Sequence, residues 1–143
     1  MAKLKTIKER VARDEQVVDR VINDPDTGAP LLAKDGTPAT IGFVGRQSAA
    51  RRAAEDEESR RLINMERDEM TPEEARARRV RLAAACCARW HGWEDDNDQP
   101  VPFSRENVTE LLASDDRILD QAEKWIMRHG RFFDAPSASS AST

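Results

Sequence analysis

Two adjacent thiols, two imidazoles and a run of carboxylates are the side chains of this 143-residue chain whose types could do chemistry. Cys86 and Cys87 follow Ala83-Ala84-Ala85, an apolar setting in which a thiol packs as a small hydrophobe and stays protonated. A zinc site built from Cys86, Cys87 and His91 is disfavoured, because tetrahedral sites use cysteines separated by two or more residues. A disulfide between neighbouring cysteines is strained, so both thiols are expected to stay reduced. His91 and His129 have no nucleophile beside them, the chain has no tyrosine, and Gly-x-Ser-x-Gly is absent from it.

The acidic run invites a calcium reading, with Asp95, Asn97, Gln99 and Glu106 at loop positions one, three, five and twelve. Position six is then Pro100, where such a loop needs glycine, and the run reads better as a solvated acidic loop. Gly36, Gly42 and Gly45 follow turn chemistry and make neither a Walker loop nor a dinucleotide fingerprint. These residue types predict no catalytic residue, no metal and no cofactor, and a protein that works by binding.

Composition narrows the partners. The chain is 38% hydrophobic, 35% charged and 5% aromatic, so one modest core is expected, completed in part against another protein. The 27 acidic and 23 basic residues nearly cancel, and glutamates and aspartates are interleaved with the arginines at 51, 52, 60, 61, 76, 78, 79 and 81. That mixture predicts helical ion pairs on a solvated face, and it disfavours nucleic acid. No apolar run reaches the roughly 20 residues of a membrane span, and the Met-Ala-Lys-Leu-Lys start lacks the apolar stretch of a secretory signal. A soluble protein of the cytoplasm is the expectation.

The expected fold is α+β and predominantly helical: a small N-terminal antiparallel sheet, then about four helices and a flexible C-terminal tail. Residues 1–16, with Leu4, Ile7 and Val11 among charges, read as an arm or a short helix. Residues 17–46 alternate turn residues with apolar pairs and predict a hairpin or sheet of two or three strands. Residues 47–134 form the helical region. Ser48 caps a helix running past Leu62 and Ile63 that is polar all round, hence exposed or laid against a partner. Thr71-Pro72-Glu73-Glu74 is a capping box opening a helix to about Trp90, whose apolar face is Val80, Ala83, Ala84, Cys87 and Trp90. Ser104 caps a short helix through Leu111 and Leu112, and Ser114-Asp115-Asp116 opens another that aligns Ile118, Ala122, Trp125 and Ile126. Residues 135–143 are small and polar, with nothing to bury.

Read in order, these segments resemble the tail assembly chaperones and related small tail proteins of long-tailed, siphovirus-like bacteriophages. The likeness lies in Asn23-Asp24-Pro25-Asp26-Thr27-Gly28, Ile41-Gly42-Phe43-Val44-Gly45-Arg46-Gln47-Ser48, Trp90-x-Gly92-Trp93 before an acidic loop, Pro100-Val101-Pro102-Phe103-Ser104, and Trp125-Ile126 before Arg131-Phe132-Phe133. The resemblance implies a viral protein of virion assembly that coats the tape-measure protein, keeps it soluble until the tail tube protein polymerises around it, and acts in the host cytoplasm. It also implies that a longer, frameshifted form is compatible with the family.

Apolar side chains placed where so small a core has little room for them are the expected partner contacts: Leu62, Ile63, Trp93, Phe103, Phe132 and Phe133. Trp93 reads either as core or as an anchor in a partner's pocket. Two further readings stand beside the chaperone: a structural component retained in the virion tail, minor tail or connector protein, and a DNA-associated regulator using the arginine-rich helices. Self-association is left open.

Overall fold

The computed structural model describes residues 3–66 and 69–131. In chain order the elements are α1 (Leu4–Arg13), β1 (Val18–Val21), β2 (Thr40–Phe43), α2 (Ala49–Asn64), α3 (Pro72–Ala85), β3 (Cys87–His91), α4 (Arg105–Ser114) and α5 (Asp116–Met127). The architecture is α+β and mostly helical, with one antiparallel three-stranded sheet.

Helix starts follow local hydrogen-bond chemistry. Ser48, Thr71, Ser104 and Asp115 each accept a bond from a backbone N–H in the first turn of α2, α3, α4 and α5. The box at Thr71 is only half closed, because the Glu74 carboxylate turns away to Arg81 at 2.9 Å. Asp115 ends α4 and begins α5, which makes the corner between them abrupt.

The sheet differs from the expectation in one respect. The segment 17–46 supplies β1 and β2, joined by an excursion with isolated bridges Asn23–Pro30 and Leu32–Pro38. The third strand comes from Cys87–His91, where the sequence reads as the end of a helix. α3 stops at Ala85 although no breaker follows, and the chain pairs with β2 instead, Ile41 opposite Trp90 and Thr40 opposite His91. An unpaired β2 edge offers hydrogen bonds that a fifth helical turn would forgo, and that tertiary gain overrides helix propensity. Cys87 and Trp90 thus belong to β3, while Val80, Ala83 and Ala84 remain the buried face of α3.

One core cluster joins Ile22, Ile41 and Phe43 of the sheet region to Val80 and Ala84 of α3, Val108 and Leu112 of α4, and Ile118, Leu119 and Ile126 of α5. Gly42 lies in the central strand, outside any turn. With no side chain there, Arg89 of β3 forms a two-pronged pair with Asp19 of β1 across it, both contacts at 2.9 Å.

The N-terminal segment is a helix fastened at its C-terminal end. Asp14 accepts from Gly45 N–H through its carbonyl at 2.8 Å and from Gln47 N–H through its carboxylate at 2.8 Å. Glu15 accepts from Ala49 N–H at 2.7 Å, placing a negative charge at the α2 N-terminus. His129, 2% exposed, sits against the Gln16 carbonyl at 2.7 Å, and a carbonyl only accepts, so Nε2 carries the proton.

A methyl group at Gly45 would lie 2.3 Å from the Asp14 carboxylate carbon, and that carboxylate is pinned by Gln47. Gly45→Ala is therefore expected to cost about 2 kcal/mol, the range of an overpacked site, read as a lower midpoint in urea unfolding.

Candidate interaction surfaces

α2 is the most exposed of the long elements. Of its sixteen residues one, Glu58, is buried. Glu58 is held by a two-pronged bond from Arg81 of α3, Nε to Oε2 at 2.6 Å and Nη2 to Oε1 at 2.8 Å, with Arg61 approaching at 3.6 Å. The same Arg81 reaches Glu74. The Arg81 hydrogen bonds hold the Glu58 carboxyl below the ordinary glutamate range, against the opposing effect of burial.

The arginines of α3 work between helices. Arg76 bonds Asp116 at 2.6 Å and the Ala113 carbonyl at 2.8 Å, and Arg79 bonds Glu123 and Asp120 of α5. The expected pairing along single helices holds for Arg51–Glu55 and Arg60–Glu57 in α2, whereas α3 uses its cations to clamp its neighbours.

Beside the Glu58–Arg81 pair lies a groove of about 450 Å³ floored by Ala50, Ala53 and Ala54, with Arg61 and Arg105 on its rim. Ala50, Ala53 and Ala54 fall at i, i+3 and i+4, so they share a helix face and leave space for a close-packed neighbour. Leu62 and Ile63 follow Arg61 at the end of α2, 41% and 80% exposed.

Trp93 and Phe103 sit elsewhere. Both are partly buried against the core, with Trp93 tilted on Trp90 at 5.5 Å between ring centroids and Phe103 edge-on to Trp90 at 5.8 Å. The indole N–H of Trp93 donates to the Thr40 carbonyl at 3.0 Å and that of Trp90 to the Val101 carbonyl at 2.8 Å. These rings line a cleft of about 250 Å³ together with Asp35, His91 and Glu94. Leu62 and Ile63 are thus placed together, and Trp93 and Phe103 together in a second place. Phe132 and Phe133 lie outside the described residues.

The candidates for chemistry are spoken for structurally. Cys86 and Cys87 are buried, and burial pushes both thiols up, away from the thiolate. Asp95 accepts the backbone N–H groups of Asn97 and Gln99 through Oδ1 at 2.8 and 3.0 Å, closing the acidic loop on itself. Among the described residues no group of three or more His, Cys, Asp and Glu is placed to hold a metal ion, and no helix is long and apolar enough to cross a membrane. The Leu4, Ile7 and Val11 spacing gives α1 an apolar stripe. On α1 every residue from Leu4 to Arg10 is exposed.

Replacing Glu58 by Gln leaves the shape and removes the charge that Arg81 faces. Arg81 keeps Glu74 and some solvent, so the expected loss is about 2 kcal/mol, below the range for a fully enclosed pair. A depressed carboxylate contributes fully above its unfolded value, about 4.3, and the contribution fades as pH falls through the lower folded value. Urea midpoints measured from pH 7 down to about pH 3 are expected to drop less steeply for Glu58→Gln than for the parent chain.

Compared with known proteins, the chain matches no protein-family model, no curated protein and no solved structure.

Proposed function

We propose that this chain is a tail assembly chaperone of a long-tailed bacteriophage, which binds a helical segment of the tape-measure protein until the tube protein assembles around it. The observation that carries the reading is α2: sixteen residues, about 24 Å of helix, that bury only Glu58 and leave Leu62 and Ile63 in solvent beside an alanine-floored groove. A tape-measure helix exposes apolar stripes. An apolar stripe laid along the Ala50, Ala53 and Ala54 face would approach closely, and Leu62 and Ile63, on other faces at the C-terminal end of α2, would add apolar contact where a partner wraps past that end. The charged remainder of α2 would keep the complex hydrated. The ordered resemblance of Trp90-x-Gly92-Trp93, the acidic loop and Pro100-Val101-Pro102-Phe103-Ser104 to small phage tail proteins supports the choice of partner.

The Leu62→Ser, Ile63→Ser double variant separates binding from folding. Both side chains are exposed, so unfolding free energy is expected to stay within about 0.5 kcal/mol. Capture of the tape-measure protein on co-expression is expected to weaken about tenfold or more. Undiminished capture by the double variant removes α2 as the docking face. Mass spectrometry of purified particles divides the remaining readings: absence from the particle fits a chaperone, and a fixed copy number in it fits a structural tail component. Duplex DNA binding that falls steeply with salt would point to a regulator instead.

A further inference from the structure

α1 carries an amphipathic face whose Leu4 and Ile7 are left uncovered by the described residues. Leu4 and Ile7 are 68% and 48% exposed, Val11 completes the i, i+3, i+7 spacing, and exposed Lys5, Lys8 and Arg10 surround that stripe with Glu9 as the one acidic residue of the helix. Just past the helix, Asp14, Glu15 and Gln16 bond the start of α2 and His129.

The aromatic cleft has the opposite character. Trp90, Trp93 and Phe103 form an open apolar floor, and the two indole N–H groups already donate inside the chain. What the floor still offers is ring face and edge, suited to an aliphatic side chain or a cation. Asp35 and Glu94 stand on its rim, and Asp95, Asp96 and Asp98 continue the negative charge, with Lys34 at 3.5 Å from Asp98 as a local counterion.

The strand register sets these two features apart. Val18, Phe43 and Cys87 are aligned at the end of the sheet next to α1, while Val21, Thr40 and His91 are aligned at the end that carries the cleft. We propose that α1 of one copy docks in the Trp90–Trp93–Phe103 cleft of a second copy, Leu4 and Ile7 on the rings and Lys5 and Lys8 toward Asp35, Glu94 and Asp96. Charge and apolar surface match at both places. A basic amphipathic helix also suits an anionic membrane surface, but α1 has three aliphatic anchors and no aromatic one, which is little apolar area for that role. The contact is small, so it forms at micromolar or higher protein concentration and is screened by salt.

The test is sedimentation velocity of the full chain, with no other protein present, so it is independent of the tape-measure reading. The parent chain associates as its concentration rises from about 10 to about 300 μM, and the apparent Kd rises about tenfold between about 50 and about 500 mM NaCl. Lys5→Glu with Lys8→Glu weakens association about tenfold, as does Asp96→Lys, and both keep the parent's melting temperature because the residues are exposed. An equimolar mixture of the two variants regains association, since the unchanged α1 of the Asp96→Lys copy then meets the unchanged cleft of the Lys5→Glu, Lys8→Glu copy. Leu62→Ser with Ile63→Ser leaves self-association unchanged. A monomer at every concentration and salt overturns the proposal. So does association that ignores both sets of variants, or a mixture that stays monomeric. Salt-sensitive binding of α1 to phosphatidylserine-containing vesicles by a chain that remains monomeric assigns the helix to a membrane surface instead.

Discussion

The Arg81 fork on Glu58 is the contact on which the arrangement of the helices turns. A helix normally joins a small domain by burying an apolar stripe, and α2 has none to bury: its buried residue is a carboxylate. Its N-terminus is tied by Ser48 and Glu15, and halfway along its length the Arg81 guanidinium supplies two directional bonds. Such a pair gains little net free energy over well-packed apolar residues, because both ions lose water. Its effect is geometric: planar guanidinium against planar carboxylate fixes the rotation of α2 about its own axis. That rotation decides where Ala50, Ala53 and Ala54 face, and it leaves Leu62 and Ile63 outside the core.

What could be read directly in the residues was the part of the fold governed by nearest neighbours. Caps at Ser48, Thr71, Ser104 and Asp115 depend on atoms within three residues, and the buried set Ile118, Ala122 and Ile126 of α5 depends on helical spacing alone. β3 was not legible, because the sequence from Ala83 to Trp90 is consistent with helix throughout, and the reason it becomes a strand lies over forty residues away in the open edge of β2. The role of Gly42 is hidden for the same reason. A glycine between Ile41 and Phe43 has turn chemistry locally, and only the register reveals that its missing side chain lets Asp19 and Arg89 meet. The interleaved arginines and glutamates told of ion pairs but not of their direction, since one composition serves pairs along a helix and pairs between helices equally well.

The interaction residues divide along similar lines. Leu62 and Ile63 could be singled out because a polar helix ended in two large aliphatics, and they are exposed. Trp93 had two readings, and its position combines elements of both: the N–H end is fixed to Thr40 while the ring lines an open cleft. The exposure of α1 was hidden because spacing shows that a helix has an apolar stripe without showing what covers it.

Net charge conceals a further property. The formal value of -4 suggests a nearly neutral surface, yet basic side chains concentrate on α1 at one end of the sheet, and Glu94, Asp95, Asp96 and Asp98 concentrate at the other. Between them, Arg76, Arg79 and Arg81 of α3 are engaged with carboxylates of α2 and α5. Pairing in the middle and separation at the ends give the molecule an electric axis roughly along the strands. A dipolar particle of this kind orients an approaching copy or a charged helix before contact, which raises the rate of productive encounter at low ionic strength more than the final affinity. The same ionic economy that fixes α2 without apolar burial therefore leaves both ends of the molecule charged and its aliphatic side chains free for contact.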